Sequence, residues 1–452
     1  MTITTVRPLQ RILGTGFGLV MVLGNTVGVG ILRLPGTVAA ALGDRALILV
    51  AWALGGLYAL MGAVAVAELS AALPEAGGFR VYARRAFGDG AGFVVGWIDW
   101  LGCVATIAYV AVTAVAFLGT LWSPANLYPR AGSILILTAF TAIHWIGLRI
   151  GSSITAAISV AGGMTLMVLV AGCSFAAPVS GTAAMPLATS AASLPIASVA
   201  MVFAMVPALR AVLTAYDGWY APIYMAEENV DPGRALPRAI IGGTVLVVTL
   251  YVLVNVALLR VLPLSVLAAA DLPAAEAARL ILPRGGAELV TVISVLTVLS
   301  VMNNNLLMAP RVLLSIGRDG LFTERAAVVS VGGTPRMGLA LTGIIVVALI
   351  LTSSFEQIIA LYAVLFLLLY LSAFLAIFIL RRKESRLPRP FRALGYPLSS
   401  AIVLMGSIAF LIAAIAEDPR SGLIAVMFVA CCLPAYVWMA RNRRLRLAEQ
   451  PV

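Results

Sequence analysis

Apolar runs long enough to cross a bilayer follow one another along almost the whole chain, separated by short stretches rich in arginine, glycine and proline. Windows of roughly 20 apolar residues fall at about 10–43, 46–73, 91–122, 131–148, 154–177, 196–226, 238–262, 287–316, 338–354, 357–380, 398–416 and 421–440. The pattern predicts an all-α polytopic membrane protein of about 12 transmembrane helices, forming one transmembrane domain.

Two windows carry groups that an uninterrupted membrane helix would avoid. In the first, Asn25, Thr26, Gly28 and Gly30 cut the apolar run and Pro35 follows. Inside a helix Gly costs about 1 kcal/mol and Pro about 3 kcal/mol relative to Ala. In hydrocarbon an unpaired N–H or C=O is costly, so a break at this depth is tolerated only where protein or a water-filled cavity satisfies the freed groups. The competing explanation is a glycine-rich helix packed tightly on a neighbour. In the sixth window Pro207 and Arg210 interrupt the first half, and Tyr216, Asp217, Gly218 and Trp219 cluster at the centre. An ionisable Asp217 at that depth marks a functional site by default. Interrupted helices at corresponding positions point to two inverted repeats of five helices, the first about 10–177 and the second about 196–380, with helices at about 398–440 outside them. Half-helix N-termini, with partial positive charge and free N–H groups, suit a carboxylate. Unwound carbonyls suit an ammonium group, and together they describe an α-amino acid.

Composition sharpens the class. The 452 residues are 62% hydrophobic and 11% charged, with mean hydropathy +1.06, against about 25% charged residues in soluble domains. The net charge of +11 would suit nucleic acid, but its placement argues otherwise. With both termini cytoplasmic, 22 of the 30 basic residues fall on the inner side, from Arg7 and Arg11 through Arg80, Arg84 and Arg85 to the runs 381–392 and 441–446. This is the positive-inside pattern, so the charge orients the protein and implies no nucleic-acid partner. The tail Arg441–Arg446 could also touch anionic lipid. Cys103, Cys173, Cys431 and Cys432 lie within predicted spans without metal-site spacing, so no disulfide and no metal are expected. The first apolar stretch is too long for a signal-peptide core and is expected to stay as an uncleaved span. No nucleophile–base or metal-ligand constellation is present, so neither an enzyme nor a cofactor is expected. Trp97 and Trp100 read as an interfacial belt, Asp99 as a structural acid close to the cytoplasm, and His144 as a hydrogen-bonded interfacial side chain.

Four ordered blocks between residues 12 and 322 resemble the amino acid-polyamine-organocation superfamily: GNTVGVGILRLPG, AELSAALPEAGGFRVYARRAFG, AYDGWYAPIYMAEENVDPGRALPRAI and NNNLLMAPRVLLSIGRDGLF. The resemblance is greatest to neutral amino acid exchangers of the L-type group and their bacterial relatives. It implies a five-plus-five inverted fold with an amino acid held between broken helices one and six. The carboxylate would meet the N–H groups of Val29, Gly30 and Ile31, with Gly28 and Gly30 keeping side chains out of its way. The ammonium would meet carbonyls around Thr26 and around Thr214, Ala215 and Asp217.

The chain departs from the family pattern at three places. Thr214 stands where relatives carry a bulky aromatic gate, leaving Tyr216 or Trp219 to cover the substrate. Arg33 and Arg210 lie in the outer halves of the broken helices, where snorkelling or pairing with an acid such as Asp217 is expected before contact with an anionic substrate. Gly162 occupies the fifth-helix position of a buried lysine in many relatives, which makes Gly162 and Asp217 the residues on which coupling turns. Exchange without an ion is expected first, a proton carried by Asp217 second, and sodium near Ser294, Thr297 and Ser300 third. L-type relatives in animals attach a single-span partner through a cysteine in the loop after the third helix. That loop here, Ser123–Arg130, has none, so no covalent partner subunit is expected. The expected protein is a bacterial inner-membrane permease or antiporter for neutral amino acids working by alternating access. The alternatives are an acidic amino acid carrier and a receptor or scaffold that binds an amino acid without moving it.

Overall fold

The computed structural model describes residues 8–176, 194–282, 284–352 and 355–448. Arg7 and the expected end of the fifth span, Ala177, lie outside them. In chain order the helices are α1 (Thr15–Thr26), α2 (Val29–Leu42), α3 (Arg45–Ala72), α4 (Phe79–Phe87), α5 (Asp89–Leu121), α6 (Pro129–Ile146), α7 (Leu148–Phe175), α8 (Leu194–Ala215), α9 (Pro232–Val261), α10 (Leu264–Ala269), α11 (Pro273–Ile281), α12 (Gly286–Arg318), α13 (Arg336–Thr352), α14 (Phe355–Lys383), α15 (Leu398–Glu417) and α16 (Pro419–Ala448). A 3-10 segment, Ala221–Glu228, follows α8. Among the described residues the only β contact is an isolated bridge between Leu13 and Asn229.

Among the described residues, eight helices are long and apolar enough to span a membrane, and α1 with α2, bent by 48°, makes a ninth span. The shorter α6, α13 and described part of α8 stand where the fourth, ninth and sixth spans are expected, so the order of twelve holds. The two halves repeat one plan: a broken helix, a long helix, a connection carrying short helices (α4; α10 and α11), then three more spans. Local signals explain many boundaries. Asp44 caps α3 by accepting from the Leu47 N–H at 2.9 Å, and α6, α9 and α11 each begin with a proline whose missing N–H is one the helix start leaves unpaired anyway.

Two expectations need correction. Pro207 does not interrupt the sixth span: α8 runs through it to Ala215, and the break comes at residues 216–220. One proline removes one backbone bond, which surrounding helices tolerate. Trp100 is not an interfacial anchor, being buried with its indole N–H donating to Thr342 Oγ1 at 3.0 Å, and Trp97 packs against Phe93, Trp100 and Phe322.

One end of the bundle gathers the basic loops and locks them with acids. Glu68 meets Arg381 at 2.5 Å and Arg389 at 3.2 Å, and accepts the Ala393 N–H at 2.6 Å. Arg80 pairs with Asp319, and Arg318 with Glu227 at 2.7 Å. Deepest lies Glu228, 0% exposed, gripped by Arg311 through two bonds of 2.7 Å. The Glu228 carbonyl also accepts the N–H groups of Ile12 at 3.0 Å and Leu13 at 2.9 Å. The start of α1, the segment after α8 and α12 therefore close on one ion pair.

Removing one partner leaves a buried charge, which costs about 3–5 kcal/mol, whereas replacing both by apolar groups can be nearly neutral. Arg311→Ala is therefore expected to lower the unfolding temperature of the detergent-purified protein by several degrees. Arg311→Met combined with Glu228→Met is expected to recover most of that loss. An unchanged melting curve for Arg311→Ala would contradict this account.

Candidate functional site

The first break is two residues long. α1 ends at Thr26, Val27 and Gly28 are extended, and α2 starts at Val29 with no side chain capping it. The N–H groups of Val29, Gly30 and Ile31 belong to that uncapped first turn, where a helix leaves its donors without intrahelical partners. Ala215, where α8 ends, lies against Gly30, and Thr26, where α1 ends, lines the same cavity, so a helix start with partial positive charge lies beside two helix ends with partial negative charge.

Side chains fasten the two breaks together. Asn25 Nδ2 donates to the Gly218 carbonyl at 3.1 Å, Asn305 Nδ2 donates to Asn25 Oδ1 at 3.1 Å, and the Tyr251 hydroxyl donates to the Thr26 carbonyl at 2.7 Å. The approach is so close that a Cβ at Gly218 would stand 2.5 Å from the Asn25 carbonyl oxygen, and Gly218 has φ +119°, a region that favours glycine. Gly30 is similar: a Cβ there would lie 3.0 Å from Ala215 Cα.

Beside the breaks lies a cavity of about 250 Å³. Thr26, Gly28, Val29, Gly30, Thr214 and Ala215 line it, together with Tyr216, Asp217 and Trp219. Of the substrate-site residues expected from sequence, Ile31 alone is missing from the wall: its side chain is fully buried in α2, leaving only its N–H in the uncapped turn. Asp217 accepts a hydrogen bond from the Tyr370 hydroxyl at 2.6 Å. The Tyr216 ring packs on Tyr251 and Trp52, and its hydroxyl donates to the Trp52 carbonyl at 3.1 Å. Trp219 stacks on Tyr370 with ring centroids 5.5 Å apart. Thr214 turns its hydroxyl back to the Arg210 carbonyl at 2.9 Å.

The charges fall differently from expectation. Arg210 lines the cavity but pairs with Glu417 of α15 rather than with Asp217, because it stands nearly two turns before Asp217, toward the end where α15 terminates. Arg33 is exposed and does not line the cavity. Gly162 is also outside the wall, where a Cβ would meet Thr297 at 3.3 Å. Fifth-helix residues that meet α1 include Gly163, against Leu23, and Ser159, packed against Gly24 and sharing a 2.7 Å hydrogen bond with Ser300. Ser294 and Thr297 donate to backbone carbonyls of their own helix at 2.8 and 3.0 Å. Among the described residues no group of three His, Cys, Asp or Glu is placed to hold a metal. His144 is buried rather than interfacial, and its Nε2 lies 2.6 Å from Asn303 Oδ1.

Asn305, Tyr251 and Tyr370 were not among the site residues expected from sequence. Asn303, Asn304 and Asn305 form a run of three amides within an apolar helix, and polar groups at such depth are expected to bond across helices. Tyr370 gives no such signal.

The chain is similar to amino acid transporters along nearly its whole length. A family model described as amino acid permease matches residues 17–441. The serine/threonine exchanger SteT of Bacillus subtilis is 26% identical over 96% of this chain and 98% of its own length. The mouse b(0,+)-type amino acid transporter 1 is 25% identical over 95% of this chain and 88% of its own. The glutamate/serine transporter AimA of Bacillus subtilis is 28% identical over 55% of this chain and 47% of its own.

Filling the gap between the breaks tests the site. Gly218→Ala adds both a positive-φ strain and a collision, and is expected to destabilise the fold by about 1–3 kcal/mol or more. Gly30→Val is expected to remain folded, since Ala215 can shift by tenths of an ångström, yet to lose amino acid binding. Near-normal affinity in a folded Gly30→Val protein, measured by ligand-induced thermal stabilisation, would place the site elsewhere.

Proposed function

This chain belongs to the amino acid permease family and is an integral membrane transporter of amino acids, and from that premise we propose that it exchanges small neutral L-amino acids across a bacterial inner membrane. The observation that carries the reading is the meeting of the α2 start with the ends of α1 and α8 in one cavity. There the carboxylate sits on the N–H groups of Val29, Gly30 and Ile31, and the ammonium sits among carbonyls around Thr26, Thr214, Ala215 and Asp217. Backbone contacts fix the α-amino acid group without choosing its side chain.

Charge within the cavity supports a neutral substrate. Among the described residues its one cation, Arg210, is engaged by Glu417, and Asp217 is held by Tyr370. An anionic side chain would meet the Asp217 carboxylate with no uncommitted cation among the described lining residues to offset it, which disfavours the acidic carrier. Polar groups on the wall, including Thr106, Tyr109, Asn305 and Ser407, suit a small hydroxyl side chain, in keeping with the serine/threonine exchanger among the relatives. The family and these relatives are transporters, which supports transport over an enzyme and over a receptor that binds without moving its ligand.

Closure of the basic end by Glu228 and Arg311, with the cavity reaching toward Arg210 at the other end, fits a state open away from the basic side. With the termini at the basic, cytoplasmic face, this is an outward-facing state. Alternating access then requires the segment after α8 and the start of α1 to part from α12. With glycine at 162, no lysine amine is available there to carry a coupled proton, so exchange ranks ahead of proton coupling through Asp217 and of sodium. The outer loop without cysteine supports action without a covalent partner subunit.

Proteoliposomes holding the purified chain and unlabelled serine are expected to accumulate labelled serine and threonine by counterflow, and to take up little glutamate or arginine. Concentrative net uptake driven by a sodium gradient would overturn the exchange mechanism. A pH-driven component that persists in Asp217→Asn would remove Asp217 from coupling.

A further inference from the structure

Three carboxylates are almost completely buried among the described residues, and two of them are matched by arginine: Glu68 by Arg381 and Arg389, Glu228 by Arg311. The third, Asp99 of α5, is 1% exposed and makes no ion pair. Its Oδ1 accepts the Tyr224 hydroxyl hydrogen bond at 2.6 Å, the Phe79 N–H at the start of α4 also approaches the carboxyl, and Oδ2 makes no hydrogen bond of full geometry. It does not line the amino acid cavity.

Among the described residues no ionised side chain pairs with it, and the only help to a charged carboxyl besides Tyr224 is the Phe79 N–H. The titratable groups that face Asp99 are Tyr224, Tyr82 of α4 and Cys103 one turn along α5, all neutral in their usual forms. Charged groups on neighbouring elements are committed elsewhere. Arg80 of α4 bonds Ser315 and Asp319, and Arg318 of α12 bonds Glu227. Tyr370 of α14 bonds Asp217 and Lys383 bonds the Ala86 carbonyl. His144 of α6 bonds Asn303, Arg336 of α13 bonds the Trp145 carbonyl, and Arg443 of α16 lies near Asp89.

We propose that Asp99 and Tyr224 form a proton-binding site, separate from the amino acid site, whose occupancy controls opening of the basic end. An unpaired carboxylate buried this deeply is far costlier than its neutral acid, whose unmet hydroxyl is a smaller burden than an unmet charge. In the closed state, therefore, Asp99 carries a proton. Tyr224 belongs to the 3-10 segment Ala221–Glu228, the same segment that Glu228 ties to α12. When the basic end opens, that segment leaves α5, the Tyr224 hydroxyl withdraws and water reaches the carboxyl, which then ionises. The closed state thus binds one proton more than the open state. By linkage, acidification holds the basic end shut and rising pH releases it.

The rate consequence rests on the transporter reading, whereas proton occupancy does not, so the two are measured separately. Infrared spectroscopy of the purified protein in lipid is expected to show the carbonyl stretch of a buried protonated carboxylic acid at neutral pH. That band should vanish in Asp99→Asn and shift in Tyr224→Phe, which loses one hydroxyl and keeps the ring. In counterflow assays from about pH 5 to 9, a range that brackets buried carboxyl groups, wild-type exchange should rise with pH by up to about tenfold per unit, the limit for one proton. Asp99→Asn should stay flat at the low-pH level, and Asp99→Glu should restore a pH dependence. The proposal is overturned if the band is absent from the wild type, if it persists in Asp99→Asn, or if that variant follows the wild-type pH profile. Should Asp99→Asn fail to fold, an unaltered band and profile in Tyr224→Phe overturn it equally. A wild type without counterflow refutes the transport reading and leaves the infrared result to decide this one.

Discussion

A peptide that leaves helical geometry inside a bilayer has no water to turn to, and two such places, at Val27 and Gly28 and at residues 216–220, organise this molecule. Their groups are met by side chains sent from other helices: Asn25 to the Gly218 carbonyl, Asn305 to Asn25, Tyr251 to the Thr26 carbonyl. Each bond avoids the roughly 1–3 kcal/mol cost of a buried group left unmet. The side chains satisfy part of what the breaks expose, while the uncapped first turn of α2 keeps donors turned to the cavity. The same unwinding that threatens the fold therefore leaves helix-start donors beside the cavity, which is the demand that the proposed substrate carboxylate would fill.

The two ends of the bundle are tied by interactions of different kinds. At the basic end Glu228 and Arg311 are 0% and 2% exposed and bidentate, so separating them strands charge in a poorly solvated place. At the opposite end Arg210 and Glu417 are 38% and 61% exposed, and such pairs contribute about 0–1 kcal/mol because water replaces the partner at little cost. The weaker tie lies where the cavity extends. Opening the basic end needs a further contribution, from substrate contacts or from a change in protonation that loosens the segment carrying Glu228.

Much of this was legible in the chain because its signals are local. Apolar length gave the spans, and glycine with asparagine gave the first break where it occurs. Alternating arginine-rich loops marked the end that Glu68, Glu228 and Asp319 now lock. What sequence misplaced depends on contacts between distant segments. Pro207 reads as a breaker yet sits inside α8, because one missing bond is absorbed by packing, whereas Gly218 breaks the chain because Asn25 must approach it. Trp97 and Trp100 have the composition of an interfacial belt, but their partners Phe322 and Thr342 lie more than two hundred residues away. Tyr370 gives no local sign of its bond to Asp217, since a tyrosine among leucines in α14 is ordinary in itself.

The proposed recognition by main chain would have a consequence for specificity. Replacing side chains at Val29 or Ala215 leaves their N–H and C=O groups where they are, so the α-amino acid pocket is hard to retune. Discrimination between substrates falls to the remaining wall, and part of that wall comes from outside the repeated ten helices. Ser407, Phe410 and Ala414 of α15 line the cavity, and the Tyr58 hydroxyl joins α3 to α15 through the Val403 carbonyl at 2.9 Å and Ser407 at 3.2 Å. α15 also carries Glu417, the partner of Arg210. A helix that the repeat does not require thus both shapes the cavity beside the backbone site and holds its mouth. Two proteins with the same breaks can differ in substrate through α15 alone, without disturbing the bonds that keep the unwound peptides satisfied.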